Sequence, residues 1–313
     1  MKSLKIGKIK LKNPLILAPM LDITNLPYRL ICRKSGASLA FTEMINVPAI
    51  LHENEKTKQM MKTCKKDKPL GIQITGNNIE DFKKVLPYLK NYDLIDLNCG
   101  CPSERITENE SGSCLLQEPD KIAKIIKILK TSKLPVTAKI RLGFKKNNVL
   151  EIAKAIEKAG ADAITIHPRL ASEGYDVPAD WNWIKKIKQF VKIPVIGNGD
   201  ILTPEKASEM LKTTGCDAIM IARGAIGDPL IFERALNYLK TGKSKDFDFK
   251  KNIKAFQEYL KLSEKYNLTN NLAIIKHLAT KFIKNIEGAS KMRNELMQMK
   301  DFNQIKDFFR KLI

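Results

Sequence analysis

The sequence is short of acidic residues, cysteines, histidines and long apolar runs, and each shortage excludes a class of protein. Its 313 residues include 34 Asp and Glu against 55 Lys and Arg. The six cysteines are too few and too unevenly spaced for a disulfide framework, so we expect reduced thiols. No carboxylate cluster joins the three histidines at ligand spacing, so we expect no metal site. No run reaches the ~18 apolar residues of a membrane span, and the N-terminus lacks a signal-peptide core, so we expect no membrane contact and a cytoplasmic protein.

The excess of basic residues gives a formal net charge of +21, which favours a polyanionic partner such as a nucleic acid. A lysine-rich surface that reflects genome composition would give the same number, so the charge alone leaves both interpretations open. Hydrophobic residues make up 43% of the chain and charged residues 28%, as is ordinary for a soluble globular protein.

Short apolar runs alternate with amphipathic segments along the first three quarters of the chain. After a predicted hairpin around Gly7-Lys8, the runs are 15–18, 39–44, 70–75, 94–98, 135–140, 163–167, 194–198 and 217–222. Strands that alternate with helices form parallel βαβ units, and eight such units predict a (β/α)8 TIM barrel. A doubly wound open sheet is the alternative, but the first run lacks the Gly-x-Gly-x-x-Gly that begins a dinucleotide-binding fold.

The pattern changes near residue 241, where helical periodicity continues without strands between the helices. The predicted helices are 249–267, 271–286, 289–298 and 302–312. We therefore predict two domains, a barrel over 1–240 and a small all-helical domain over 241–313. The second domain has 16 Lys and Arg against 8 Asp and Glu in 73 residues, which makes it about twice as basic per residue as the barrel.

Polar side chains interrupt four of the barrel strands near their carboxyl ends, where TIM-barrel active sites lie. Side chains alternate along a strand, and by this parity Gln73, Asn98, Lys139 and His167 point into the barrel. Buried polar groups are unfavourable unless they are paired, so we predict that they surround a polar ligand. A polar layer whose members satisfy one another is the alternative.

The last two strands end in segments with small residues, Asn198-Gly199-Asp200 and Ala222-Arg223-Gly224. Barrels commonly hold a phosphate after these strands, with backbone N–H groups and a helix N-terminus as donors. Glycine allows the close approach of the backbone that such a site needs. Together the two segments predict a phosphate site.

A cysteine follows the fourth barrel strand in the segment Asn98-Cys99-Gly100-Cys101-Pro102. A thiol on a tight loop at the catalytic end of a barrel can act as a proton donor or a nucleophile. Its spacing from Cys99 does not make a metal site, because no second pair lies at a suitable distance. A buried structural thiol is the alternative for Cys101.

These features lie in segments that together resemble the tRNA-dihydrouridine synthase family. No single segment is decisive, but their order along nearly the whole chain is specific. The segments are LAPM at 17–20, DITNLPYR at 22–29, TEM at 42–44, IDLNCGCP at 95–102, SGSCLL at 111–116, VTAKIRLG at 136–143, IHPR at 166–169, PVIGNGD at 194–200 and IARGAIGDP at 221–229.

The resemblance implies an FMN-dependent oxidoreductase on a TIM barrel. It places Lys139 near the N1/O2 side of the flavin, where a fixed cation stabilises negative charge. The residues that it assigns to FMN are Pro19, Met20 and Leu21 along the ring, Gln73 at the pyrimidine edge, Lys139 and His167 beside the ring, and Asn198, Gly199, Asp200, Ala222 and Arg223 at the phosphate.

The resemblance also implies the reaction, in which the C5=C6 bond of uridines in tRNA is reduced with NADPH, or NADH, as the reductant. Hydride goes to C6, Cys101 protonates C5 on the other face, and Asn98 and Arg141 orient the base. The target base must leave its stack to reach the mouth of a barrel. In the helical domain, tRNA is expected to contact Lys276, His277, Lys281 and Lys284. We expect a monomer.

The sequence departs from the family pattern in three places. Ala222 stands where glycine is frequent, Pro168 follows His167 where glycine is frequent, and Thr280-Lys281 replaces an aromatic pair. Two other functions are therefore kept as alternatives. One is a small-molecule FMN oxidoreductase of the dihydroorotate or dihydropyrimidine dehydrogenase type, against which the basic tail argues. The other is a non-catalytic RNA-binding protein, against which the intact Cys101, Lys139 and His167 argue.

Overall fold

A computed structural model describes residues 4–284 and 286–313 of the chain. Eight parallel strands form a closed barrel in which each strand pairs with the next one along the chain, and the last strand pairs with the first. The predicted TIM barrel is confirmed. The strands are β3 Leu15–Leu17, β4 Leu39–Asn46, β5 Leu70–Thr75, β6 Leu94–Cys99, β7 Val136–Ile140, β8 Ala163–Ile166, β9 Val195–Asn198 and β10 Ala218–Ile221.

The predicted N-terminal hairpin is also present, as the antiparallel strands β1 Lys5–Ile6 and β2 Ile9–Lys10. Its Ile6 is fully buried and belongs to the same apolar cluster as Ile16 and Phe41 inside the barrel. Gly71 makes room for this cluster, because a Cβ there would lie 2.4 Å from the ring of Phe41. The lower part of the barrel is therefore a packed apolar core, and the polar residues gather at the other end.

In the described residues ten α-helices accompany the barrel, and the longer ones pack their apolar faces against the outer surface of the strands. In α6, the residues Ile122, Ile125, Ile126 and Leu129 are buried, as the helical spacing predicts. The helices are α1 Leu26–Lys34, α2 Val47–Leu51, α3 Glu55–Met60, α4 Ile79–Lys84, α5 Glu104–Thr107, α6 Pro119–Lys130, α7 Val149–Lys158, α8 Trp181–Phe190, α9 Pro204–Thr214 and α10 Ile231–Thr241. Three 3₁₀ segments lie at Leu86–Leu89, Gly112–Gln117 and Arg223–Ala225. No helix in the described residues is long and apolar enough to cross a bilayer.

The C-terminal part is helical throughout, as predicted. Its helices are α11 Phe249–Lys265, α12 Leu272–Phe282, α13 Ala289–Gln298 and α14 Phe302–Lys311. Phe256 is central to its core, with ring centroids 4.6 Å from Phe282 and 4.3 Å from Phe309. Each such aromatic pair contributes about 0.5–1.5 kcal/mol beyond the burial of its area. The division into two domains near residue 240 remains a prediction.

One predicted boundary is wrong, because α12 ends at Phe282 instead of Ile286. Ile283 leaves helical geometry with ψ near 82°, and its side chain is buried. Its carbonyl oxygen accepts a hydrogen bond of 2.9 Å from Arg293 Nη1, which satisfies a group left free at the helix end. Burial of Ile283 and this contact with α13 therefore outweigh the continuing apolar period. Asn285 lies outside the described residues.

Candidate active site

The candidate active site is an open cleft at the carboxyl ends of the barrel strands. Its cavity volume is about 330 Å³, which lies within the range of small-molecule and cofactor pockets. The predicted residues that line it are Pro19, Met20, Leu21, Gln73, Asn98, Cys101, Lys139, Arg141, His167, Asn198, Gly199, Asp200, Ala222 and Arg223. The convergence that strand parity predicted is therefore observed, and the roles of these residues remain predictions.

The loop that carries Cys101 is fixed by hydrogen bonds on both sides. Asn98 Oδ1 accepts from the backbone N–H groups of Gly100, at 3.1 Å, and of Cys101, at 2.9 Å. Arg141 Nε donates to Gly100 O at 3.0 Å, and the Ser113 N–H donates to Cys101 O at 3.0 Å. The cysteine is therefore held half-buried in the cleft wall with little freedom to move.

The side chain of Asn98 continues into a hydrogen-bonded chain whose direction is defined. Asn98 Nδ2 donates to Gln73 Oε1 at 2.9 Å, and Gln73 Nε2 donates to Asp96 Oδ2 at 2.7 Å. The Thr137 hydroxyl donates to Asp96 Oδ1 at 2.6 Å. An ionised carboxylate can only accept hydrogen bonds, so Asp96 fixes which way the Gln73 amide faces, and Gln73 in turn fixes the Asn98 amide. Burial raises the pKa of Asp96 to about 6, although hydrogen bonds from Thr137 and Gln73 oppose the shift.

These hydrogen bonds bear on whether the polar residues of the barrel surround a ligand or satisfy one another. Gln73 and Asn98 satisfy one another, as the alternative of a closed polar layer predicts. The ammonium group of Lys139 does not join them, because it makes no hydrogen bond or ion pair with any described residue. Burial, and then Arg141, lower the pKa of Lys139 to about 8, while Asp96 opposes the shift. The cleft therefore contains a half-buried cation without an internal counter-ion.

His167 lies beside this cation and is held in its neutral form. Burial lowers its pKa to about 2, and Lys139 and Arg141 add to the shift. Its Nε2 lies 2.9 Å from Nη1 of Arg169. Because an arginine can only donate, Nε2 accepts and the proton of the imidazole is on Nδ1. The histidine can therefore donate a hydrogen bond from Nδ1 at any physiological pH.

The predicted phosphate side is organised by Asp200, whose carboxylate is fully occupied. It accepts from Arg169 Nη2 at 2.7 Å, from Arg223 Nη2 at 2.7 Å and from the Ala179 N–H at 2.8 Å. Asp200 thus positions two guanidinium groups, and Arg223 remains partly exposed to the cleft. Gly199 has φ +115°, and a Cβ there would lie 2.9 Å from His167 Cδ2, so the close approach requires glycine.

The residues of the cleft fit FMN. The uncompensated Lys139 and the neutral His167 offer donors to the polar edge of a flavin, and Arg223 offers donors to a phosphate. Asn198 lies at the floor of this side, where its Nδ2 donates to Met220 O at 2.8 Å. In the described residues, no group of three or more His, Cys, Asp or Glu side chains could hold a metal ion.

Comparison with known families decides the assignment. The sequence model of the dihydrouridine synthase family matches residues 16–312. The chain belongs to this family. It is 40% identical to tRNA-dihydrouridine synthase B of Pasteurella multocida over 234 residues, which cover 73% of this chain and 70% of that protein. It is 37% identical to the protein of the same name in Yersinia pestis over 244 residues, which cover 76% of each chain.

Solved structures show the same fold at much lower identity. The chain matches histamine dehydrogenase from Rhizobium sp. 4-9 with a TM-score of 0.55 and 16% identity, over 83% of this chain and 50% of that one. It matches an old yellow enzyme homologue from Zymomonas mobilis with a TM-score of 0.55 and 12% identity, over 78% and 94%. The resemblance to dihydrouridine synthases is thus confirmed, the chain is an oxidoreductase of that family, and the small-molecule alternative is not favoured.

The N-terminal segment that resembles the family is a support for the cleft. Met20 N–H donates to Thr24 Oγ1 at 2.9 Å, and Thr24 O accepts from Arg29 Nη1 at 2.7 Å. Arg29 is fully buried and pairs with Asp67. Glu43 accepts from the Asp22 N–H at 2.7 Å. Segment 22–29 therefore shapes the turn that places Pro19 to Leu21 in the cleft of this dihydrouridine synthase.

Two residues of the site were missed by the parity argument. Arg169 is buried and joins His167 to Asp200. Tyr175 is 60% exposed, lines the cleft, and lies with its ring centroid 3.9 Å from the Arg223 guanidinium. Both lie in the loop after β8, where the alternation of a strand no longer applies. The sequence feature that could have identified Arg169 is its place in the segment IHPR. Tyr175 had no such feature apart from its position in the same loop.

The four predicted tRNA contacts of the helical tail lie outside the cleft. His277 and Lys281 are exposed on α12. Lys276 Nζ donates to Met297 O at 2.9 Å and so helps to hold α13. The predicted place of Lys284 on the basic face of the helix is wrong, because it follows the end of α12. Its Nζ lies 5.7 Å from the Phe247 ring centroid, and burial lowers its pKa.

Proposed function

We propose that this protein is an FMN-dependent tRNA-dihydrouridine synthase that reduces the C5=C6 bond of uridines, with Cys101 as the proton donor. The observation that carries the proposal is the position of Cys101 on a fixed loop in the same cleft as the uncompensated Lys139. Family membership and the relatives named tRNA-dihydrouridine synthase B support it.

Within this proposal the residues of the cleft divide between holding the cofactor and acting on the base. Bound FMN supplies the hydride that is added to C6 of the uracil. Cys101 Sγ gives its proton to C5, so the two hydrogens of the reduction come from opposite sides of the base. A thiol positioned to transfer a proton typically contributes 10²–10⁴-fold to a rate. The cysteine must regain a proton from solvent before the next turnover.

The other side chains of the cleft hold the FMN and orient the uracil. Lys139 and Nδ1–H of His167 bind the electron-rich edge of the ring, and Gln73 is held with a defined orientation for the pyrimidine edge. Pro19, Met20 and Leu21 lie along the ring. Arg141 is anchored to Gly100 and Leu170 through Nε and Nη1, and we assign its Nη2 to the uracil together with Asn98. Gly199, Ala222 and Arg223 would hold the phosphate.

Several finer points follow from the proposed substrate. The reductant is NADPH or NADH, which reaches the flavin through the same open mouth. The substrate tRNA contacts the basic tail. A monomeric enzyme remains our prediction. A cytoplasmic location remains our prediction.

The test is mass spectrometry of nucleosides from tRNA that has been incubated with the purified protein, FMN and NADPH. The tRNA should come from a strain that lacks this gene, so that the target uridines are unmodified. A gain of two daltons on uridine at defined positions is the expected result. A yellow protein that oxidises NADPH but leaves the tRNA unchanged would contradict the proposed substrate.

The Cys101→Ala variant tests the proposed proton donor. It should bind FMN and tRNA as the wild type does and lose at least about 100-fold in the rate of dihydrouridine formation, because no other thiol lines the described cleft. Cys114→Ala is the matched control, since Cys114 lies thirteen residues further on in a 3₁₀ segment and outside the cleft lining. Equal activity of the Cys101 variant and the wild type would remove Cys101 from the mechanism.

A further inference from the structure

The loop between β10 and α10 belongs to two parts of the molecule. Its first residues, Ala222, Arg223 and Ile226, line the cleft on the proposed phosphate side. Its next residue, Gly227, lies against the C-terminal helices. The loop has a short 3₁₀ segment and no strand partner of its own, so its shape depends on the contacts that its neighbours make.

Two side chains from different parts of the chain hold this loop. The hydroxyl of Tyr28, on α1 of the barrel, donates to Ala225 O and accepts from the Gly227 N–H at 3.2 Å. Asn252, on α11 of the helical tail, is fully buried and donates from Nδ2 to Gly227 O at 2.9 Å. Both polar groups of the Gly227 backbone are thus satisfied by side chains, one from the barrel and one from the tail.

The packing around the loop is close on the side of the tail. Gly227 has φ +68°, and a Cβ there would lie 2.1 Å from the carbonyl oxygen of Lys281 on α12. The ring of Tyr28 lies edge-on to Tyr259 and Phe282, with centroids 6.2 Å and 6.5 Å away. The C-terminal helices therefore contact both the loop and the tyrosine that holds it.

Asn252 carries an unfavourable feature that a purely structural residue would avoid. Its Oδ1 is buried and has no hydrogen-bond partner in the described part of the chain. A buried polar atom without a partner destabilises the folded state, and an apolar residue of similar size would not have this defect. The hydrogen bond to Gly227 O is the compensating interaction.

We infer that Asn252 is a positioning residue through which the C-terminal helices hold the phosphate-side loop in its FMN-binding shape. The affinity of the barrel for FMN therefore depends on the tail, which has a second role besides contact with tRNA. This inference rests on the proposed flavin site. Asn252 acts through Gly227 and the loop and does not itself line the cleft.

The test is the affinity of the full-length apoprotein for FMN, measured by quenching of flavin fluorescence. Asn252→Ala leaves Gly227 O without its donor, and the dissociation constant for FMN should rise about tenfold. Gln257→Ala is the matched control, because Gln257 lies on the same helix and donates to a backbone carbonyl, Phe309 O at 2.8 Å, inside the tail. Its affinity for FMN should equal that of the wild type.

Two further variants separate loop positioning from general loss of stability. Asn252→Asp keeps the shape but replaces the donor by an acceptor, so it should weaken FMN binding at least as much as Asn252→Ala. Tyr28→Phe removes the tether on the barrel side and should also raise the dissociation constant. Thermal unfolding of each apoprotein, followed by circular dichroism, identifies any variant that has lost its fold. The FMN affinity of such a variant is disregarded, and the remaining variants decide the test.

The outcomes are distinct. Failure of the wild type to bind FMN would overturn the proposed function. A wild type that binds FMN, together with folded Asn252 and Gln257 variants of equal affinity, would overturn the inference alone. Weaker binding by the Asn252 and Tyr28 variants, with the Gln257 variant unchanged, is the expected result.

Discussion

At the scale of single residues, the cleft contains a lysine whose ammonium group makes no ion pair with any described residue. Burial disfavours the charged form of Lys139, and the nearby Arg141 adds to the effect, which lowers the pKa to about 8. Asp96, below it in the barrel, opposes the shift and so helps to keep the lysine protonated near neutral pH. The lysine is thus poised to gain from an anionic ligand.

This charge predicts how the affinity for FMN varies with pH. A hydrogen bond from the ammonium group to the flavin edge favours the charged form and raises the pKa of Lys139, so FMN binding is coupled to proton uptake above about pH 8. The affinity of the apoprotein should be nearly constant from pH 7 to 8 and should fall as the pH rises further. Fluorescence titrations at several pH values measure the affinity for FMN. The control is Lys139→Gln, which should bind FMN more weakly and with an affinity that does not fall as the pH rises. A wild-type affinity that stays constant to pH 9.5 would contradict the assignment.

The positions of individual site residues can be predicted from the sequence when the residues lie on strands. Gln73, Asn98 and Lys139 lie on strands whose alternation is regular, and all three face the cleft. Arg169 and Tyr175 were not predicted, because loop geometry is determined by contacts with distant residues such as Asp200. A polar layer whose members satisfy one another was kept as an alternative, but the individual hydrogen bonds among Gln73, Asn98 and Asp96 were not predicted, since parity says which way a side chain points and not which atom it meets.

At the scale of elements, the strands are predicted well and the helix ends less well. Strands buried on both faces form apolar runs that turn residues interrupt, as in β5 at Leu70–Thr75. The start of α12 follows from Asn271, whose side chain accepts from the Ile274 N–H. Its end has no such local signal, because burial of Ile283 and the Arg293 contact are tertiary. Lys284 was misplaced for this reason.

The corrected end of α12 yields a matched pair of variants. Lys281→Ala removes an exposed cation from the helix and should reduce the salt slope of tRNA binding by about one. Lys284→Ala should leave the slope unchanged and lower the free energy of unfolding by about 1 kcal/mol, because its Nζ packs over Phe247. Filter binding at several salt concentrations and urea unfolding measure the two effects. Equal effects on tRNA binding would contradict the structural role of Lys284.

At the scale of the whole molecule, the charge of +21 is unevenly distributed, and the helical tail carries more of it per residue than the barrel. A basic surface attracts the phosphates of a nucleic acid through the release of condensed counterions. The tail thus combines a high density of basic residues with the packing against the loop after β10. The cleft and the tail therefore suit a large anionic substrate from which a single base is taken into the barrel.

The charge distribution predicts that the affinity for tRNA falls steeply as salt increases. Between about 50 and 200 mM salt the dissociation constant should rise at least about tenfold, since several phosphate contacts are released together. Fluorescence anisotropy with labelled tRNA measures the slope, and the isolated nucleoside uridine is the uncharged control. An affinity for tRNA that does not change with salt would remove the basic tail from substrate binding.

The closure of the barrel by its last strand has a consequence for the synthesis of the protein. β10 pairs with β3, so residues more than two hundred positions apart must meet before the cleft has a complete wall. A nascent chain on the ribosome contains Cys101 and Lys139 long before Ala222 and Arg223 have been translated. The cofactor site therefore does not exist during most of translation, and loading of the flavin belongs to the last stage of the protein's maturation.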